Sequence, residues 1–142
     1  MSVIVTDAGF GPDDWTEAGK DFVAADTLGE TDGDDLAVDL LNDADPEALA
    51  PHFERLTLIR LRFPSFADGR GFSQARRLRS LGWRGRLRAA GHVLADQYGH
   101  ARKVGFDEVE IDDALAERQP EAQWLGRVEG LRYVERFRRN AA

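Results

Sequence analysis

From residue 36 onward the sequence alternates short apolar runs with segments of helical pattern, and this alternation constrains the fold more than any other feature. It predicts strands at 36–41, 57–63, 86–90 and 106–111. Helices are predicted between them at 46–56, 73–81 and 93–104. Ser73 is interpreted as the N-cap of the second helix, and Gly82 and Gly105 as left-handed C-caps. Strands that alternate with helices of this length imply right-handed crossovers and a mostly parallel sheet.

The expected architecture is therefore an α/β fold of about four βα units, either flavodoxin-like or a partial barrel, with a helical C-terminal tail. Residues 1–35 are rich in Gly and Asp, and they are expected to be an acidic lead-in that is loosely structured or forms a small hairpin. Residues 36–142 are expected to form the single domain. Gly126 and Gly130 weaken the middle of the tail helix. Its large side chains are predicted to lie in the core or on a homodimer surface: Trp124, Leu125, Val128, Leu131, Tyr133, Val134 and Phe137.

Charge is divided unevenly along the chain. The net charge of -7 disfavours binding to nucleic acid, which requires many basic contacts to phosphate. Residues 1–57 hold 15 acidic residues against Lys20 and Arg55. Residues 60–106 hold 11 basic residues against only Asp68 and Asp96. This basic stretch is predicted to meet negative charge on a ligand or a partner.

Several classes of protein are disfavoured by what the sequence lacks. No run approaches the roughly 18 apolar residues of a membrane-spanning helix, and residues 1–10 do not resemble a secretory signal, so the cytoplasm is the expected location. There is no cysteine for a disulfide, an iron–sulfur cluster or a thiol nucleophile. No dinucleotide fingerprint, P-loop or serine elbow occurs, so no cofactor is evident. His92 and His100 lie about 12 Å apart along a predicted helix, and with His52 as the third histidine no metal site is expected.

Residues 63–107, FPSFADGRGFSQARRLRSLGWRGRLRAAGHVLADQYGHARKVGFD, resemble the signature of a bacterial domain-of-unknown-function family, number nine hundred and thirty-four. The resemblance includes Phe63-Pro64, Asp68-Gly69-Arg70-Gly71, Asp96-Gln97 and Gly105-Phe106-Asp107, and it extends back to residue 36. Members of this family are encoded beside assimilatory sulfite reductase, so the resemblance implies a role in sulfate assimilation. His92 stands where that family has an acidic residue, and Val104 where it often has a cysteine.

The strongest candidate site is the run Asp68, Gly69, Arg70 and Gly71 leading into Ser73, because it lies between the end of a predicted strand and the start of a helix. Open α/β sheets bind ligands at such junctions, and a helix N-terminus flanked by glycines favours an anion. Arg70, Arg76 and Arg88 are predicted to add guanidinium donors for sulfite, sulfate, phosphate or a carboxylate. The structural alternative is a tight turn with solvated arginines.

A secondary candidate is the following strand-to-helix junction, which contributes Gly91, Asp96, Gln97 and Arg102. Here a structural interpretation is favoured, in which the charged members form surface ion pairs. Asp68 and Asp96 are not assigned as a catalytic pair, because acid–base chemistry requires a defined geometry that spacing alone does not supply.

Three functional hypotheses follow, and whether the protein is an enzyme stays open among them. The first is an accessory protein of assimilatory sulfite reduction, which docks the reductase or its electron donor, or holds an oxyanion, through the basic surface. The second is a small enzyme of sulfur metabolism that binds an anionic substrate through Asp68, Arg70, Ser73 and Arg76. The third is a scaffold that self-associates through the acidic lead-in and the helical tail.

Overall fold

A computed structural model of the chain describes residues 2–141, with side chains described as far as Leu131. Its strands are β1 Ser2–Thr6, β2 Gly9–Gly11, β3 Phe22–Ala24, β4 Leu36–Leu40, β5 Leu56–Phe63, β6 Arg86–Gly91 and β7 Glu108–Asp112. Its α-helices are α1 Asp14–Glu17, α2 Arg70–Ser80, α3 Tyr98–Val104, α4 Asp113–Arg118 and α5 Glu121–Ala141. Short 3₁₀ helices cover Ala25–Glu30, Pro46–Arg55 and Ala95–Gln97.

The seven strands form one sheet in the order β2-β1-β7-β6-β5-β4-β3. The pairs from β3 to β7 are all parallel, whereas β1 pairs antiparallel with both β2 and β7. The prediction of a mostly parallel α/β sheet is thereby confirmed. Consecutive parallel strands are neighbours, so the order does not reverse within the parallel part, and the flavodoxin-like alternative is not confirmed.

The first 35 residues are part of this sheet. The β1–β2 hairpin extends it beyond β7, and β3 adds the strand at the opposite edge. The sequence signal for β3 is weak because the strand has only three residues, Phe22–Ala24, between polar segments. The lead-in therefore contains the expected small hairpin, but it also contributes the strand at each edge of the sheet.

Two helices differ from their predicted form. The segment Pro46–Arg55 is 3₁₀ rather than α-helical, and Pro51 in its interior lacks the N–H that an α-helix would use. The helix α2 begins at Arg70 with Gly69 as its N-cap, so the assignment of Ser73 as the N-cap is wrong. Asp68 supplies an acceptor for one free backbone N–H group at this end of the helix. Its Oδ1 accepts a hydrogen bond from the backbone N–H of Arg70 at 3.0 Å. The predicted left-handed glycines are confirmed, with φ of 103° at Gly82 and 117° at Gly105.

The two faces of the sheet have different chemistry. One face carries the main apolar core, in which Val38, Ile59 and Leu61 pack beneath α2, α3 and the 3₁₀ helix Pro46–Arg55. The core also includes Trp124 and Val128 of α5, whereas the predicted roles of Tyr133, Val134 and Phe137 concern side chains outside the described part. Because side chains alternate along a strand, the other face takes the intervening residues, and most of these are charged. That face is called the polar face below, and its charged members are Asp39, Arg60, Arg62, Arg86, Arg88, Glu108 and Glu110.

Within residues 2–141, no helix is both long enough and apolar enough to cross a lipid bilayer. The described side chains also contain no group of three or more His, Asp or Glu residues arranged to hold a metal ion.

Candidate functional site

The polar face is organised around Arg88, in the middle of β6. Its side chain is completely buried. Its Nε donates to Glu108 at 2.8 Å, and its Nη1 donates to Glu110 at 2.9 Å and to Asp13 at 3.1 Å. A buried guanidinium is costly unless carboxylates surround it, and here the neighbouring strand β7 and the N-cap of α1 supply three.

Arg60 extends this network toward β4. Its Nε donates to Asp39 at 3.0 Å and its Nη1 to Glu110 at 3.2 Å, so Glu110 is shared by two arginines. The guanidinium carbon also lies 3.6 Å from the ring centroid of Phe22, which makes a cation–π contact. The network therefore continues from β4 across to β7.

The segment around α1 covers part of the polar face. Trp15 packs on Ala37 and Leu58, and the preceding Asp13 caps the helix while pairing with Arg88. Burial alone would raise the pKa of Asp13, but the charge of Arg88 and the backbone N–H of Thr16 outweigh burial and lower it. This carboxylate is thus held ionised in the folded protein.

At the carboxyl ends of β5, β6 and β7 the polar face opens into a cavity of about 100 Å³, called the edge pocket below. Arg62 of β5, His92 after β6 and Arg118 of α4 supply its nitrogen-bearing side chains. Phe66 lies at the rim, with its ring 4.8 Å from that of His92. The full lining is Ser2, Arg62, Phe66, Gly91, His92, Glu110, Ile111, Asp112, Leu115 and Arg118.

The acidic side chains of the edge pocket already have partners. Glu110 accepts from Arg60 and Arg88, and Asp112 caps α4 by accepting the backbone N–H of Leu115 at 2.7 Å. Arg62 donates to Asp39 at 3.0 Å yet keeps 39% of its side chain exposed. Arg118 is exposed and forms no ion pair with any side chain described up to residue 131. The pocket therefore offers one uncommitted guanidinium and one that is partly available.

A second, more open cavity of about 310 Å³ lies beneath α1 on the same face. It is lined by Ser2, Pro12, Asp13, Thr16, Glu17, Arg60 and Glu110. Ser2 and Glu110 line both cavities, so the buried Glu110 borders a cavity on two sides. The two cavities make the polar face the part of the sheet where a ligand can reach buried charge.

The strongest candidate site from the sequence, Asp68–Gly71 with Ser73, follows Phe66 at the rim of the edge pocket. Asp68 and Arg70 form an ion pair at 2.9 Å, and Asn42 also donates to Asp68. The guanidinium of Arg70, its backbone N–H and the nearby Asn42 hold the pKa of Asp68 at about 2. Gly71 is needed for packing, because a Cβ there would collide with the ring of Phe63. Ser73 and Arg76 lie on the exposed side of α2.

The expectation that Arg88 joins this loop is wrong. Arg88 lies in mid-strand, buried on the polar face, because residues 86–90 extend through the sheet rather than toward its edge. Arg70 in turn is satisfied by its own neighbour, Asp68, with 61% of its side chain exposed. The loop and Arg88 therefore do not form one anion site.

The four residues of the secondary candidate site do not lie together in the structure. Gly91 lines the edge pocket with φ of 115°, and a Cβ there would lie 2.6 Å from the carbonyl oxygen of Phe63. Gln97 positions the pocket rim, since its Nε2 donates to the carbonyl of Phe66 at 3.1 Å. Arg102 pairs with Asp7 at 3.1 Å, as the structural interpretation expected, and Asp96 lies on another surface, beside α5.

The residues that sequence reasoning missed are Arg62, Glu110 and Arg118, and His92 was considered only as a metal ligand. One signal was present: charged residues recur at every second position in strands that are otherwise apolar, as in Arg60-Leu61-Arg62, Arg86-Leu87-Arg88 and Glu108-Val109-Glu110. Such alternation indicates a sheet with one charged face. Arg118 offered no such signal, because it lies alone at the end of a short helix.

The basic stretch proves to be largely neutralised within the fold. Eight of its 11 basic residues form ion pairs with carboxylates: Arg60, Arg62, Arg70, Arg77, Arg79, Arg86, Arg88 and Arg102. Most of these carboxylates come from the acidic first 57 residues or from β7. Within the described side chains, Arg76, Arg84 and Lys103 are the three left without an ion pair. The uneven charge of the sequence is thus resolved mainly inside the molecule.

These features define a small α/β protein with a charged sheet face that opens beside the carboxyl ends of its parallel strands. The chain belongs to a family of bacterial proteins of unknown function, DUF934, whose model matches residues 37–130. The match includes the arginines and the histidine of the edge pocket, and it begins after β3. Comparison with curated proteins and with solved structures gave no match.

Proposed function

We propose that this protein is an accessory component of assimilatory sulfite reduction, and that it holds a small oxyanion of the sulfite or sulfate class in the edge pocket. The observation that carries the oxyanion part is Arg118, an arginine without a carboxylate partner among residues 2–131, which lines the same cavity as Arg62. Planar guanidinium groups bind tetrahedral and trigonal oxyanions through paired N–H donors. The connection with sulfite reduction is supported by the resemblance of residues 63–107 to the family.

The size and place of the pocket favour a small ligand. Pockets for drug-sized ligands typically measure roughly 300–1,000 Å³. The edge pocket, at about 100 Å³, suits an anion of a few heavy atoms better than a nucleotide. It also lies at the end of the parallel strands, where open α/β sheets commonly bind ligands.

The rim of the pocket is the proposed contact with the reductase or its electron donor. Within residues 2–131, Phe66 is one of two large apolar side chains that are exposed, and Arg70 follows it with 61% of its side chain exposed. Because Arg70 is paired with Asp68, we assign it to partner contact rather than to the oxyanion itself. Arg76 on the next exposed turn of α2 would add to this contact.

A second candidate, a small enzyme acting on an anionic substrate, is favoured by one observation. His92 lines the pocket beside Arg62 and Arg118, and histidine is the side chain that most often transfers protons in enzymes. A bound anion would therefore have an imidazole next to it. Recovery of the bound anion in altered form, measured by ion chromatography, would favour the enzyme over the accessory role.

Calorimetric titration with sulfite, sulfate and phosphate at constant ionic strength tests the oxyanion site. Replacement of Arg118 by Ala is expected to weaken binding about 10-fold or more, because a charge-assisted hydrogen bond is lost. The matched control is Arg84→Ala, which removes the same charge from an exposed position before β6 and should leave the affinity unchanged. Equal affinities of the wild type, Arg118→Ala and Arg84→Ala for every anion would show that the pocket is not the site.

The accessory role is tested separately by co-purification with the cognate sulfite reductase at low and moderate salt. Arg70→Ala and Arg76→Ala are expected to reduce saturable binding, and added salt should reduce it further because the contact is electrostatic. Absence of binding at either salt concentration, for wild type and variants alike, would refute the accessory role while leaving the titration result intact.

A further inference from the structure

Basic side chains without ion-pair partners gather at a second place, a groove between α3 and α5. Its lining contains His100 and Lys103 of α3 and Arg127 of α5, against one acidic residue, Asp96. Among the side chains of residues 2–131, Lys103 and Arg127 belong to a group of only six Lys or Arg residues that lack a carboxylate partner. The group is Arg55, Arg76, Arg84, Lys103, Arg118 and Arg127.

The groove is large and open. It measures about 360 Å³, and a neighbouring cavity of about 340 Å³ continues it past Asp96 and Arg127, which line both. The groove also borders α2, because the ring of His100 lies 4.7 Å from that of Phe72. Two adjoining cavities of this volume suit a stretch of polypeptide better than a single small ion.

The floor of the groove is formed by glycines. Gly126 and Gly130 line it from α5, and among the described atoms a Cβ at either position would have no neighbour within 4 Å. The described neighbours therefore give no packing reason for glycine at these two positions, and glycine in a helix interior is less stable than alanine. An absence of side chains here lets an incoming backbone approach α5 closely.

We infer that this groove docks an acidic peptide segment of a partner protein, with carboxylates on Lys103 and Arg127 and the peptide backbone over Gly126 and Gly130. The rest of the chain supports this choice of partner. Its net charge of -7 repels an acidic protein except at such a basic surface, so the charge distribution orients the approach. This inference does not depend on the edge pocket, which has its own lining residues.

A second copy of the chain fits the groove less well. A two-fold dimer whose axis passes through the groove would place the groove against itself, with like charges opposed. A head-to-tail contact would have to use an acidic surface elsewhere, such as the exposed Asp32 and Asp34, and contacts of that kind build open chains unless they close into a ring. A partner of different sequence avoids both difficulties.

The test uses a 15-residue glutamate-rich peptide with a leucine stripe, titrated into the full chain labelled with ¹⁵N. Backbone amide shifts are expected to change along α3 and α5 and not at the edge pocket. Lys103→Ala and Arg127→Ala should each weaken binding about 3-fold to 10-fold, because each removes one exposed or partly exposed ion pair. Arg84→Ala is the charge-matched control outside the groove and should leave the affinity unchanged.

A steric variant separates docking from folding. Gly130→Leu fills the floor of the groove where nothing opposes a Cβ, so it is expected to leave the folded structure and its thermal midpoint intact or raised while reducing peptide binding at least 10-fold. Retained binding by Gly130→Leu, or an equal loss with Arg84→Ala, would overturn the proposal. Tighter competition by a 15-nucleotide single-stranded DNA than by the peptide would also overturn it, because the groove would then recognise any polyanion. So would concentration-dependent dimerisation through the groove, measured by sedimentation.

Discussion

At the scale of the residue, the position of Arg88 is the least expected feature of this chain. It occupies the centre of a seven-stranded sheet, where an apolar side chain is usual, and it is completely buried. Burial alone would lower the pKa of its guanidinium, but the charges of Glu108 and Asp13 outweigh burial and raise it. Its Nη2 has no hydrogen-bond partner among the described atoms and lies 3.6 Å from Asp14. The site therefore holds a permanent charge whose carboxylate partners depend on it.

Replacement of Arg88 by Met should lower the free energy of unfolding by about 3–5 kcal/mol, because Asp13, Glu108 and Glu110 would each lose a buried charged donor. Urea denaturation at neutral pH measures this change. The matched control Arg84→Met, at an exposed position, should change stability by no more than about 0.5 kcal/mol. In the double variant Arg88→Met, Glu108→Met, the loss of unfolding free energy should be smaller than the sum of the losses in the two single variants. Strict additivity would contradict a direct interaction between the two side chains.

Residue-level prediction from sequence succeeded where the signal is local. Gly82 and Gly105 were identifiable because a helix pattern ends just before each, and both adopt the left-handed conformation. Arg88 is close in sequence to the basic loop at Asp68–Arg70 but not close to it in space. Its partners are 20 to 75 residues distant along the chain, and only the strand register brings them together.

At the scale of the element, α1 shows how a very short helix can be held in place. It has four residues, too few to be stable alone, yet Asp13 caps it and Trp15 anchors it on Ala37 and Leu58. Asp14 accepts two hydrogen bonds from the guanidinium of Arg86, at 2.9 and 3.0 Å. Burial alone would raise the pKa of Asp14, but the hydrogen bond and charge of Arg86 lower it below its usual value. The helix thus acts as a charged cover on the polar face.

This arrangement predicts that α1 loosens in acid. The pKa values of Asp13 and Asp14 are lowered in the folded state, so their contribution to stability is present above the unfolded pKa near 3.8 and is lost as the pH falls below it. Urea denaturation at pH 6 and pH 3 should show that Asp13→Asn, Asp14→Asn loses less stability on acidification than the wild type. Asn keeps the N-cap, so the cap is not removed with the charge. Asp26→Asn, at an exposed position, serves as the control and should behave as the wild type. A steeper loss in the double variant would contradict the proposed linkage.

Among the elements, β4 to β7 were predictable because each is a compact apolar run, and α2 and α3 because glycines mark their ends. The edge strands β2 and β3 have three residues each, too few to show a period. Ser73 is the better N-cap by residue type, yet α2 begins at Arg70, three residues before it. In the structure Phe63 packs against Gly71, which already lies in the first turn of α2.

At the scale of the whole molecule, the acidic beginning of the chain and its basic middle neutralise each other. Asp7 pairs with Arg102, Asp13 with Arg88, and Asp14 with Arg86, so the first strands and α1 bring carboxylates to arginines far along the chain. The family match at residues 37–130 leaves out all three of these aspartates. The matched region therefore lacks part of what stabilises its own charged face.

Removal of residues 1–35 should consequently prevent stable folding. The deletion takes away β1, β2 and β3, exposes the edges of β7 and β4, and leaves Arg88 without Asp13 in the interior. Far-ultraviolet circular dichroism and amide proton dispersion should show a largely unfolded or aggregated chain. A full-length variant with Asp7, Asp13 and Asp14 all changed to Asn separates the two causes, because it keeps every strand while losing three charges. We expect this variant to be destabilised but folded, which would identify the lost strands as the larger contribution. A deletion that folds with wild-type dispersion would instead show that the sheet from β4 to β7 is self-sufficient and that the acidic segment serves only its charged face.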